Sequence, residues 1–238
     1  MVPVPRAVKQ LVLDLAAPEP PSFANFLPGR NAEAVAALSA AAAGAVGETG
    51  IAVWGPPGAG KTHLLRAAVA AATAAGRTAA WFAAPGALVG TDPREVAANA
   101  LVAVDDVGTA GAEAQARLFT LFNALRAGGG RLAVASDVAP AALPLREDLR
   151  TRLGWGLVFE VHPLTDAEKP AALVGYARRR GLTLSDDVVR YLLAHGRRDM
   201  ATLLATLAAL DRHSLAEKRP ITIPLLREWL QREMPLGR

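Results

Sequence analysis

The chain has 238 residues, 52% of them hydrophobic and 20% charged, with no cysteine and a formal net charge of +4. That length accommodates one large domain plus a small one, and the lack of cysteine excludes a disulfide scaffold and thiolate metal sites. The positive charge is not gathered in a block, so it does not by itself point to nucleic acid, and no charge-free apolar stretch approaches the ~20 residues that span a bilayer.

Met1 to Lys9 carries prolines and charges without an apolar core, which is not the pattern of a secretory signal. A cytoplasmic protein with no membrane contact is expected. Residues 1–21 read as a flexible tail punctuated by Pro3, Pro5, Pro18, Pro20 and Pro21. Inside it, Gln10-Leu11-Val12-Leu13-Asp14-Leu15 is an extended segment with leucines at alternate positions. From Ser22 onward short apolar strands at 51–54, 79–83, 101–104, 131–135 and 157–161 alternate with helical stretches at 31–43, 61–75, 112–127 and 146–152. Strands apolar throughout and alternating with helices predict an α/β fold, a parallel sheet with helices on both faces, over residues 22–162. Much of the apolar content is alanine, as in Ala34 to Ala45 and Ala67 to Ala75, which favours helix but packs thinly. After Pro163 only helical periodicity remains, at 166–180, 185–195, 199–215 and 224–234, so residues 163–238 are expected to form a small all-helical lid. Thr165 with Glu168, and Ser185 before Asp186-Asp187, mark helix starts.

The chemistry is concentrated in Gly55-Pro56-Pro57-Gly58-Ala59-Gly60-Lys61-Thr62. An apolar strand leads into this loop and a helix follows, the context a phosphate-binding loop requires. Its glycines let backbone N–H groups curl around a β-phosphate, Lys61 offsets phosphate charge, and Thr62 offers a hydroxyl to Mg²⁺. Leu101-Val102-Ala103-Val104 ends in Asp105-Asp106. Alone this would be as readily a helix cap, but next to a phosphate loop Asp105 reads as a Mg²⁺ ligand and Asp106 as the group orienting an attacking water. Asp106 is one carbon shorter than the glutamate of strongly hydrolytic machines, which argues against fast turnover. Asp137, at the tip of the strand expected between the two motif strands, is a candidate for contact with the γ-phosphate or the water; a turn-starting aspartate is the competing reading. Arg152, near the end of a short helix, would point away from its own nucleotide and suits a finger acting in trans. Arg198 opens a helix of the lid and could fold back over the phosphates. Arg178-Arg179-Arg180 precedes Gly181 and reads as a helix C-terminus rather than as a DNA contact. The four histidines are scattered without metal-ligand spacing.

This arrangement resembles the AAA+ ATPases, and within them the replication initiator DnaA and its regulatory inactivator family, Hda. The resemblance covers Ser22 to about Leu230 and rests on Phe23 to Asn31, the two Walker motifs, Ser136-Asp137, Arg152-Leu153-Gly154-Trp155-Gly156 and Arg198, which matches the sensor 2 arginine. It implies that Phe26 and Asn31 help to enclose the adenine of ADP or ATP. The short tail, the brief stretch from Pro85 to Ala100 and the end of the chain after the lid depart from the initiator and favour the inactivator family. The resemblance further implies that Gln10, Leu11, Leu13 and Leu15 bind the DNA polymerase III β sliding clamp, with Asp14 standing where the family has a small residue or proline. Alternate leucines can enter apolar pockets as an extended peptide. DnaA is the implied second partner and DNA is met mainly through these partners; homo-oligomerisation is left open. Intrinsic hydrolysis is expected to be weak at most, the main role being to activate hydrolysis in DnaA. A helicase loader or remodeller with its own turnover and a DNA-binding module are the competing readings.

Overall fold

A computed structural model describes residues 19–196, 199–217 and 219–233, with residues 232 and 233 as backbone alone. Five strands form one sheet: β1 (Gly50–Trp54), β2 (Ala79–Phe82), β3 (Leu101–Val104), β4 (Arg131–Ser136) and β5 (Leu157–Glu160). Their order is β2-β3-β4-β1-β5, and every pairing is parallel, with Ile51 beside Ala133 and Leu157, and Ala103 beside both Trp81 and Ala133. Helix α1 (Ala32–Ala43) precedes β1, and the crossovers run through α2 (Lys61–Ala74), α3 (Pro93–Val96), α4 (Ala112–Gly128) and α5 (Glu147–Gly154).

The period-2 geometry of a strand decides which helices lie on which face. On β3 and β4 the residues Val102, Val104, Leu132 and Val134 pack with Leu118, Leu121, Phe122 and Leu125 of α4 and Leu149 and Leu153 of α5. The alternate residues Leu101, Ala103, Ala133 and Ala135 join Leu38 of α1 and Leu64, Leu65, Ala68 and Ala72 of α2. The alanine content is therefore concentrated on the face that carries the phosphate-loop helix. The edge strand β5 alternates instead of being apolar on both sides: Leu157 and Phe159 join the α1/α2 face, while Val158 and Glu160 are exposed.

A second unit contains α6 (Lys169–Arg179), α7 (Asp186–His195), α8 (Met200–Glu217) and α9 (Ile223–Glu233). Its core is Leu173, Val188, Val189, Leu192, Leu203, Leu207, Leu210, Leu226 and Leu230. Ser185 caps α7 by accepting from the Val188 N–H. Gly181, at φ 72°, closes α6, and the Leu182 N–H reaches back to the Ala177 carbonyl. The arginine run there divides. Arg180 is buried in an ion pair with Asp211 of α8, and Arg179 pairs with Glu19.

The two units meet in sequence between Glu168 and Lys169, six residues beyond the expected boundary, and the second unit also takes in Glu19. The reason lies at Thr165. Its N–H and hydroxyl both donate to the Glu168 carboxylate, at 2.8 and 2.7 Å, so residues 165–168 form a closed turn and α6 starts only at Lys169. Among the described residues no helix is long and apolar enough to cross a membrane.

Candidate nucleotide-binding site

Strand β1 ends at Trp54, and the chain turns through Gly55 into the loop that opens α2. Gly55 (φ 152°) passes so close to the end of β5 that a Cβ would lie 2.2 Å from the Val161 carbonyl oxygen. Gly58 (φ 79°) faces open space, with nothing within 4 Å of a Cβ. Gly60 (φ 99°) caps α2 and lies under the ring of Phe26, which a Cβ would approach to 2.7 Å. These left-handed conformations are those that glycine alone adopts cheaply. The Gly58 and Gly60 N–H groups have no hydrogen-bond partner among the described residues. Unpaired donors ahead of a helix N-terminus form a cradle for an anion. Pro56, Pro57 and Ala59 shape the turn, with the Ala59 N–H donating to the Pro56 carbonyl at 3.3 Å.

Lys61 is buried and turned back over the loop, where its Nζ donates to the carbonyls of Gly55 (2.6 Å) and Pro56 (3.0 Å) and to Asp137 Oδ1 (2.9 Å). Asp137 follows β4, the strand between β1 and β3, so its meeting with Lys61 is a direct consequence of strand order. The neighbouring side chain, Thr62, donates its hydroxyl to Asp105 Oδ2 at 2.5 Å. A hydroxyl and a largely buried carboxylate brought together at the strand ends are hard oxygen donors of the kind Mg²⁺ takes alongside water and phosphate oxygens. The residues present therefore fit a nucleoside phosphate with Mg²⁺. Asp105 also accepts the Asp106 N–H at 2.9 Å.

Asp106 has φ 51° and ψ 45°, and among the described residues no other non-glycine residue has a positive φ. Its carboxylate is exposed and makes no hydrogen bond or ion pair among the described residues, while its carbonyl accepts from both the N–H and the hydroxyl of Thr109. A left-handed backbone is uncommon outside glycine, and aspartate is among the residues that adopt it most readily.

Phe26 lies over Gly60 and against the ring of His63, centroids 5.4 Å apart. Asn31 is buried and commits both ends of its amide to His162, donating to its carbonyl at 2.9 Å and accepting its N–H at 2.8 Å. It thereby pins the segment before α1 to the end of β5, a positioning role rather than a free edge for a base.

The backbone of Arg152 lies beside Gly50, at the opposite end of β1 from the loop. At roughly 3.3 Å per strand residue, that is about 16 Å from Gly55. The guanidinium turns to α4, where it stacks 4.0 Å from the Phe119 ring centroid, donates from Nε to Asn123 at 3.1 Å and from Nη1 to the Asp148 carbonyl at 3.3 Å. Nη2 has no partner among the described residues. Phe119 and Asn123 escaped the sequence reading; their spacing of four on a helix was the available signal. Arg198 and the segment holding Gln10, Leu11, Leu13 and Leu15 lie outside the described residues.

Two family models match the chain: the bacterial DnaA ATPase domain over residues 93–160 and the Hda lid domain over residues 166–230. Among solved structures, domain III of the replication initiation protein DnaA from Thermotoga maritima superposes with a TM-score of 0.76 at 19% identity, covering 89% of this chain and 95% of that one. AMPPCP-bound DnaA from Aquifex aeolicus gives 0.72 at 24% identity, over 92% and 69% of the two chains. The Holliday junction branch migration motor RuvB of Thermotoga maritima gives 0.66 at 15% identity, over 89% and 72%. At these identities the structures establish the fold. Taken with the two family models and a five-stranded parallel sheet followed by a helical lid, they place the chain among the Hda/DnaA-like AAA+ proteins.

Proposed function

We propose that the chain is a cytoplasmic regulator of replication initiation that keeps ADP in its own site and promotes ATP hydrolysis in DnaA. Gly55 to Thr62 would hold the phosphates, with Lys61 on the β-phosphate and Thr62 and Asp105 holding Mg²⁺. The metal, when bound, offsets phosphate charge. Phe26 would close the entrance above Gly60, and Arg198 would approach the phosphates from the lid. Residues Gln10, Leu11, Leu13 and Leu15 would tether the protein to the β sliding clamp on DNA, bringing it to the nucleoid through its partners.

The observation that supports this reading best is the direction of Arg152. Its guanidinium is at the far end of β1 from the phosphate loop, held on one edge by Asn123 and stacked on Phe119. A planar cation fixed in this way, with Nη2 unpartnered, suits insertion into the triphosphate site of a neighbouring molecule. Offering one positive charge where negative charge develops raises hydrolysis by ~10³–10⁵-fold in comparable systems. The test is ATP hydrolysis by DnaA with clamp, DNA and the Arg152→Ala protein. Loss of stimulation is expected, and undiminished stimulation overturns the finger assignment. The unpartnered carboxylate of Asp106 keeps one second reading alive, a loader with its own turnover. Robust hydrolysis by the protein alone, abolished in Asp106→Asn, would favour it.

A further inference from the structure

We infer that the outer edge of β2 is where two copies of this chain pair, as an antiparallel strand joint that carries the sheet across a two-fold axis. The sheet has two edges, β2 and β5. β5 ends on the exposed Glu160 and is followed three residues later by Pro163. Charge and proline are the usual defences of an edge against another strand. β2 has neither. No residue from Thr78 to Thr91 is charged, and the strand itself, Ala79–Phe82, holds no proline. Within this uncharged stretch Trp81 and Val89 remain 36% and 43% exposed. An aromatic edge strand left without a charge is a surface built to be covered.

The main chain says how the edge is covered. The Thr78 carbonyl accepts from the Leu101 N–H and the Phe82 carbonyl from the Asp105 N–H, so these alternate positions face β3. The N–H and C=O groups of Ala79 and Trp81 therefore point outward, and they have no partner among the described residues. This pattern is complementary to itself. With Ala80 on the axis, Ala79 of one copy lies opposite Trp81 of the other, and the two pairs exchange four hydrogen bonds. Each indole then has an alanine across from it, which leaves it room. Arg66 of α2 lies over the same indole, its guanidinium carbon 5.1 Å from the ring centre, and steadies the ring while the main chain stays open. Joined edges of four residues bury less than the ~1,200–2,000 Å² of a stable interface, so the pair forms at concentrations on the order of 100 μM. Strand order puts β1 three strands in from β2, so the two β1 strands are about 34 Å apart across the joint. Arg152, beside Gly50 of β1, is clear of the joint, and pairing is compatible with its role as a finger.

The chain has no cysteine, so a single introduced one reports on its own neighbour. In this register the two Ala80 positions form a non-hydrogen-bonded pair with Cα atoms about 4.5 Å apart, within reach of a disulfide, whereas the two Ala79 positions are more than about 7 Å apart. The test is sedimentation velocity of the full-length protein up to about 300 μM, together with oxidative cross-linking of Ala80→Cys and Ala79→Cys. Wild type is expected to dimerise with concentration, and Trp81→Lys, which puts a charge on the edge, to weaken the dimer by at least about tenfold. Ala80→Cys should give a disulfide-linked dimer, and Ala79→Cys about tenfold less of it. Cross-linking keeps the inference testable should Trp81→Lys fold poorly. A wild type that stays monomeric, a dimer indifferent to Trp81→Lys, or equal cross-linking at positions 79 and 80 would overturn it.

Discussion

Arg180 and Asp211 form the one ion pair, among the described residues, in which both side chains are almost entirely buried, at 6% and 5% exposure. Arg180 donates from Nε and Nη2 to Asp211 Oδ2, both at 3.2 Å, linking the residue after α6 to the middle of α8. Replacing Asp211 by alanine removes the buried carboxylate with which this guanidinium pairs. Breaking a buried pair from one side costs about 3–5 kcal/mol. A helical unit of this size has a stability near the lower end of the usual ~5–15 kcal/mol, so the Asp211→Ala lid should be close to unfolded without denaturant. Trp229, the one tryptophan of α6 to α9, packs against the lid core. In protein labelled with fluorotryptophan it supplies a single lid resonance by fluorine NMR. In urea that resonance should lose its native position well before the base-domain signals do. The paired replacement Arg180→Met with Asp211→Leu should restore most of the loss, because an apolar pair of similar volume avoids the desolvation cost. A cost below about 1 kcal/mol for Asp211→Ala, the range of exposed pairs, would refute the reasoning.

Gly60→Ala combines a left-handed backbone, worth roughly 1–2 kcal/mol of strain, with a Cβ placed 2.7 Å from Phe26. Binding of ADP should weaken at least tenfold while melting of the base shifts modestly; unchanged affinity would show that the loop does not need this geometry. The Thr165 hydroxyl and N–H, as donors to Glu168, hold its carboxyl below the usual range, with a smaller contribution from Arg30. A depressed carboxyl stabilises the fold above the unfolded-state value and loses that contribution as pH falls through the folded value. Thr165→Val should therefore move the Glu168 titration upward by carboxyl-detected NMR, and an unmoved titration would remove the hydroxyl as its cause.

The sheet was legible because its strands are short, mostly apolar runs, the inner three buried on both faces, and all five lie within one residue of their expected limits. The loop was legible for a different reason: glycine is required by φ, and Gly55, Gly58 and Gly60 each have the conformation or close approach that excludes a side chain. Short-range signals failed where tertiary contacts decide. Residues 85–88 and 93–96 are helical turns too short for periodicity to register, the second begun by Asp92 capping the Arg94 N–H. The helix expected from Asp166 starts at Lys169 because Thr165 uses its hydroxyl as a donor to Glu168. Asn31 carried no hint that its amide reads the backbone of His162, 131 residues away. The sequence placed Asp137 at the tip of the strand between β1 and β3, but carried no sign that Lys61 would turn back to pair with it.

The left-handed backbone at Asp106 bears on the length of its side chain. Aspartate and asparagine enter that conformation far more readily than longer residues do. Exchange for glutamate would extend the carboxylate towards the phosphates but would work against the bend that follows β3. Any attempt to engineer a fast motor from this scaffold must therefore begin by relaxing the main chain there, before a longer acid can be of use.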